Sequence, residues 1–148
     1  MENVCPLIVL DTNVLVAGAC RHEDSAAYRV LMAVLERRVP IMLTEGIVAE
    51  YEDVLARSSV RRLTGLSPKQ SADLVLELIS QSHQTQLRFS WRPNLVDEAD
   101  NKFIEAAIVA SGIIVTYNVR DFAKPDLAKH GWEVMTPVEL TSLFELEP

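Results

Sequence analysis

Apolar residues in this chain fall into two patterns: short unbroken runs, and longer stretches in which they recur every three or four positions. Pro6-Leu7-Ile8-Val9-Leu10 is unbroken and ends at Asp11, which predicts a strand buried on both faces of a parallel sheet. Val30, Leu31, Val34 and Leu35 line one side of a helix predicted over about 26–37, with Asp24 and Ser25 as candidate N-caps. Residues 39–43 predict a second strand. Thr44 then caps a helix carrying Ile47, Val48, Tyr51, Val54 and Leu55. Ser67-Pro68 opens another helix, with proline at the first helical position, and Leu74, Val75, Leu78 and Ile79 continue it to about Ser82. A strand is predicted over 84–89 and a loop at Trp91-Arg92-Pro93. A helix over about 99–110 is closed by Gly112 as C-cap. Strands at 113–116 and 132–135 and a helix at 137–144 complete the chain.

Strands alternating with helices imply βαβ units, hence an α/β fold with a parallel sheet of four to five strands flanked by helices. The whole of 1–148 reads as one domain. In such sheets ligands bind beyond the carboxyl ends of the strands. Asp11, Thr44-Glu45 and the segment 116–121 each follow a strand directly and are the places to look.

Composition narrows the class. Apolar residues at 49% and charged residues at 24% fit a folded chain rather than a disordered one. No apolar run reaches the ~18 residues of a membrane span. The Met1-Glu2-Asn3 start lacks the basic character of a secretory signal, so a cytoplasmic protein is expected. Cys5 and Cys20 make no disulfide framework, and His22, His83 and His130 show no zinc spacing. The net charge of −7 argues against nucleic-acid binding unless some of the carboxylates are gathered to hold divalent cations.

Four places carry such carboxylates. Asp11-Thr12-Asn13 follows the first strand, where Asp11 or Asn13 would otherwise serve as a cap. Glu50 lies three residues after Ile47, bordering the buried stripe, while Glu52 and Asp53 point to water. Asp97-Glu98-Ala99-Asp100-Asn101 opens a helix with more acid than capping needs, and Asp100 lies on the inner rim, three and four residues before Phe103 and Ile104. Thr116-Tyr117-Asn118-Val119-Arg120-Asp121 follows the last strong strand, and there Asn118 or Asp121 would reach the edge that holds Asp11. Two carboxylates ~4 Å apart repel by roughly 4 kcal/mol at an effective dielectric of ~20. Mg²⁺ or Mn²⁺ relieves that repulsion and equips such a cluster to hydrolyse a phosphodiester.

These motifs, in this order and spacing over nearly the whole chain, resemble a PIN domain, and within that family the VapC-type toxins of prokaryotic toxin–antitoxin pairs. The resemblance implies a three-layer fold with a parallel sheet and a metal-dependent endonuclease of single-stranded RNA. It also implies a homodimer and a small inhibitory antitoxin. By motif match the first acid is Asp11, the second Glu50 and the third Asp100. Thr12, Asn13 and Thr116 match polar positions that orient the acids. The family's fourth acid usually lies two residues after the threonine of the last motif, where this chain has Asn118. Three alternatives follow: Asn118 holds metal through its carbonyl or a water, Asp121 substitutes, or Asp97 supplies the charge.

Arg21, Lys102 and Arg120 would ring the acidic pocket and hold the RNA backbone, with ordinary solvated charges as the alternative. Arg57, Arg61 and Arg62 are either a groove wall or a solvated helix end. Arg88, Trp91 and Arg92 would stack bases or pack on the domain edge. Two rival functions remain. A phosphatase of the haloacid-dehalogenase type would use Asp11 as nucleophile, but needs an acid where Asn13 stands. A degenerate PIN domain would bind RNA or a protein without cleaving.

Overall fold

The computed structural model describes residues 5–84, 101–122 and 133–146. Five strands, β1 Ile8–Leu10, β2 Ile41–Leu43, β3 Ser82–Gln84, β4 Ile113–Val115 and β5 Glu133–Met135, form one parallel sheet in the order β3-β2-β1-β4-β5. Every residue of β1, β2 and β4 is buried, as the unbroken apolar runs require. From β1 the chain moves outward to β2 and β3, then returns to the other side of β1 for β4 and β5. The order therefore reverses between β1 and β4, and a crevice opens at their carboxyl ends. The register pairs Leu10 with Val115, which sets Asp11 and Thr116 level with each other at that crevice.

Helices α1 Thr12–Ala19, α2 Ala26–Leu35, α3 Glu45–Ala56, α4 Ser58–Thr64, α5 Pro68–Gln81, α6 Asn101–Ala110, α7 Val119–Phe122 and α8 Pro137–Phe144 complete the described part. α1 packs on α2, α2 on α8 and α3 on α5, while α6 lies against β1, β2 and β4. The starts follow the expected capping chemistry. Thr44 accepts from the Ile47 N–H, and Ser67 forms a reciprocal pair with Gln70. Of the two candidate caps before α2, Ser25 is the one used, accepting from the Tyr28 N–H at 3.1 Å.

Several boundaries differ from expectation. The strands begin later or stop sooner than the apolar runs that predict them. β3 lies at Ser82–Gln84; the rest of the strand expected over 84–89, and the loop at Trp91-Arg92-Pro93, fall outside the described residues. α1 and α4 were not anticipated. α1 buries Val14, Leu15, Gly18 and Ala19 and shows no polar face to give it periodicity. A Cβ on Gly18 would stand 2.9 Å from the Ala27 carbonyl, so this glycine is what lets α1 approach α2. α2 stops at Leu35 because Arg37 turns left-handed at φ 63°. α6 is closed not by Gly112 but by Ser111, at φ 50°. No described helix is long and apolar enough to cross a membrane.

Gly112 has a different task. Its N–H donates to the Ala107 carbonyl, and the next residue, Ile113, donates to the Leu7 carbonyl at 3.0 Å. A Cβ on Gly112 would run into that Leu7 carbonyl oxygen. The glycine therefore lets the end of α6 press on the entry to β1. Gly112→Ala is expected to cost about 1–3 kcal/mol, the usual penalty of forced overpacking, read as a lower urea midpoint with an unchanged slope. Wild-type stability in this variant would show that the β1–α6 approach is not tight.

Candidate active site

Asp11 leaves β1 and caps α1, and only 7% of it is exposed. Its Oδ1 accepts from the Thr12 N–H at 2.8 Å and its Oδ2 from the Thr116 hydroxyl at 2.6 Å. Thr116 is fully buried at the end of β4, and its Oγ1 accepts in turn from the Asn118 N–H at 2.9 Å. Glu50 arrives from α3. Its Oε2 accepts from the Thr12 hydroxyl, and its Oε1 from the Lys102 ammonium at 3.0 Å. Thr12 thus ties both acids together, one through its backbone N–H and the other through its side chain. Beside Glu50, the Tyr51 hydroxyl donates to the Leu10 carbonyl, which locks α3 onto the last residue of β1. Asn13 Oδ1 accepts from the Tyr117 N–H at 3.5 Å, linking the first turn of α1 to the loop after β4.

The carboxyl of Asp11 has its pKa raised. Burial is the main cause; the Thr116 and Thr12 hydrogen bonds oppose it, and the charges of Glu50 and Asp121 add to it. Burial, and then the charges of Asp11 and Glu50, push the Tyr51 phenol well above its ordinary value, so it stays a donor. Among the described residues no three His, Cys, Asp or Glu side chains stand close enough together to hold a metal ion. The two acids that do converge offer hard carboxylate oxygens in a pre-set arrangement, which is donor chemistry suited to Mg²⁺ or Mn²⁺.

The structure brings Asp11, Glu50, Thr12, Thr116 and Lys102 together, and Asn13 adjoins them through the loop after β4. Asp121 is exposed in α7, within electrostatic reach of Asp11. Its backbone N–H donates to the Asn118 carbonyl at 3.0 Å, closing the turn that leads into α7. The Asn118 and Arg120 side chains are exposed on the same segment. Asp97 and Asp100 lie outside the described residues, as do Arg88, Trp91 and Arg92.

Arg21 is placed differently from expectation. With α1 continuing straight from Asp11, Arg21 comes after the far end of an eight-residue helix, ~12 Å along its axis from the acids. There it lines a small cavity with Tyr28 and Leu31. In the basic run, Arg57 pairs with Asp53 at 2.8 Å, both exposed. Arg61 borders an apolar cavity of about 390 Å³ between α3 and α5, and Arg61 and Arg62 occupy the last turn of α4, where the helix dipole suits them. Two features went unseen in the sequence: the Lys102–Glu50 pair and the Tyr51 hydroxyl. A phenol in an otherwise apolar buried stripe needs a partner, and that need was the available signal for Tyr51.

The PIN domain family model matches residues 7–120, a span that contains Asp11, Glu50, Lys102, Thr116 and Asn118. The fold is similar to a chain in the crystal structure of VapBC2 from Rickettsia felis bound to a DNA fragment from their promoter. The TM-score is 0.59 and the sequence identity 15%, over 88% of this chain and 98% of that one. No curated protein matches the chain in sequence.

Two substitutions, one at the first acid and one at its donor Thr116, are expected to move stability in opposite directions. A carboxylic acid with a raised folded pKa loses stability as pH climbs from its unfolded value through its folded one. Asp11→Asn removes that loss. Its advantage over wild type in chemical denaturation should therefore be small below the carboxylate range and grow to a plateau at neutral pH. Thr116→Val deletes one donor to Asp11 and leaves the Asn118 N–H without its acceptor, at a cost of about 1–3 kcal/mol. A neutral-pH midpoint for Asp11→Asn below that of wild type would contradict the electrostatic account.

Proposed function

The chain belongs to the PIN domain family, and from that premise we propose that it is a divalent-metal-dependent endoribonuclease of single-stranded RNA, the toxin of a toxin–antitoxin pair. The observation that carries this reading is the convergence of Asp11 and Glu50 on Thr12 at the β1/β4 crevice. Two buried or half-buried acids held at the carboxyl edge of a parallel sheet are poorly explained by fold stability, since they raise each other's cost. Asp11 and Glu50 are the proposed metal ligands, together with Asp100 by motif match. Of the candidates for the missing fourth charge, Asp121 is favoured, because its carboxylate already acts on Asp11 across space while Asn118 carries no charge. Asp97 remains the other carboxylate that would supply it.

Mg²⁺ or Mn²⁺ held by Asp11, Glu50 and Asp100 would supply the means to lower the pKa of an attacking water and to neutralise charge on a leaving oxygen. The chain's own residues do the positioning. Thr12 and Thr116 hold the two carboxylates at fixed angles, so the site needs little rearrangement to bind. One acid accepts the proton of the attacking water. Lys102 and Arg120 meet the phosphate backbone. The likeness to VapBC2 supports an antitoxin partner, and the family resemblance supports a homodimer and a cytoplasmic setting. A phosphatase of the haloacid-dehalogenase type is disfavoured, because Asn13 stands where the general acid is required and its Oδ1 is engaged by the Tyr117 N–H.

Cleavage of a labelled single-stranded RNA with Mn²⁺, with and without chelator, tests the reading. Wild type should cut only with metal, and Asp11→Asn should fold normally and lose roughly 100-fold or more in rate. Asp121→Asn should be nearly as damaging, and Asn118→Asp should preserve or raise activity. RNA binding without cleavage in the wild type would instead mark a degenerate PIN domain. Phosphate release from small esters would mark a phosphatase. Loss of activity in Asn118→Asp would show that the amide is required as such.

A further inference from the structure

Among the described residues, the four carboxylate oxygens of Asp11 and Glu50 each have one donor: the Thr12 N–H, the Thr116 hydroxyl, the Thr12 hydroxyl and the Lys102 ammonium. Three of these donors are neutral and leave each oxygen a further lone pair for a cation. The fourth is itself a cation. Lys102 Nζ stands 3.0 Å from Glu50 Oε1, on an oxygen that a metal ion at this site would take. An ammonium and a dication cannot share that oxygen without strong repulsion.

The ion pair is unlike the others with described geometry. Lys69–Asp73 and Arg57–Asp53 join residues four apart on one helix and are well exposed. Lys102–Glu50 joins α6 to α3, with the side chains 31% and 20% exposed. The lysine stem runs across the start of α3, where a Cβ on Gly46 would sit 3.9 Å from Lys102 Cβ and 4.0 Å from its Cδ. The stem therefore passes close by the glycine at the start of α3, and the side chain as a whole stays partly exposed. A lysine, with its flexible stem and compact charge, can leave such a contact and remake it.

We propose that Lys102 is a built-in stand-in for the divalent ion. Its ammonium holds Glu50 in the metal-free protein, and arrival of the ion releases it toward the phosphate of the substrate. This rests on the metal-site reading above and adds an exchange to it: the same positive charge serves first the empty site and then the RNA. Lys102 is a positioning residue in the first state and a phosphate contact in the second.

The test is a double-mutant cycle on Mn²⁺ binding, followed by calorimetry on the full chain without RNA. Met keeps most of the stem over Gly46 and removes the charge. Lys102→Met should tighten Mn²⁺ by about tenfold and lower the melting temperature measured in chelator. In a Glu50→Gln background the same substitution should change Mn²⁺ affinity by less than roughly twofold, since the exchange acts through that carboxylate. An equal gain in both backgrounds would mean simple repulsion through space and overturn the proposal. Unchanged or weaker Mn²⁺ binding in Lys102→Met alone would also overturn it, while leaving the metal site intact. No binding of millimolar Mn²⁺ by wild type would overturn both. A second readout follows the ammonium directly: Mg²⁺ should raise the rate at which an amine-acylating reagent labels Lys102 relative to Lys69. A ratio unmoved by Mg²⁺ would show that Lys102 is not released.

Discussion

Two like charges, those of Asp11 and Glu50, are held together at the end of β1 against their own repulsion, and much of the surrounding structure is arranged to make that possible. Thr12 binds both acids. Thr116 binds Asp11 from the neighbouring strand, and Tyr51 clamps the helix that carries Glu50 onto the same strand end. Each of these groups sits where it does because the sheet order reverses between β1 and β4. A site placed elsewhere along the edge would draw on consecutive strands. This one draws on residues more than a hundred positions apart, because the reversal is what brings the ends of β1 and β4 side by side.

Much of the fold was legible because buried parallel strands have to be apolar throughout. The runs at β1, β2 and β4 could hardly be anything else, and serine or threonine before an amphipathic stretch marked the start of α2, α3 and α5. Helix ends were less legible. Arg21, Arg37, Ser111 and Glu145 all take left-handed conformations just past a helix, where glycine is the usual signal, and among the described residues only Gly65 follows that rule. All four are exposed, and the conformation costs each roughly 1 kcal/mol, so it follows from where the packed elements on either side need the chain to go, which a local pattern does not show. α1 escaped for a related reason: a helix packed among α2, α3 and α4 carries no polar face to give it a period.

In the site, Asp11 and Thr116 could be anticipated from topology alone, because each directly follows an unbroken apolar strand. Their hydrogen-bond partners could not. Whether Glu50 meets solvent or Asp11 depends on the rotation of α3 about its axis, and that rotation is set by Tyr51 reaching Leu10. Lys102 was expected to face phosphate because it neighbours Asp100 in sequence. Its observed partner is 52 residues away on another element, and nothing in the spacing reveals it.

The acidity of the chain takes on a different meaning in this light. A net charge of −7 ought to repel a polyanion, and several of the described cations offer no relief. Arg38, Arg57 and Lys69 are already engaged with acids close by in sequence. On the proposed reading, attraction for RNA would therefore have to be generated locally. Asp11, Glu50 and Lys102 together carry one net negative charge, and on the proposed reading a dication turns that into one net positive charge while freeing an ammonium at the mouth of the crevice. A site that becomes attractive to phosphate only when loaded would not capture RNA while it is unable to cut. On that reading the overall negative charge would act as a filter, and the crevice between β1 and β4 would be the place where its sign is reversed.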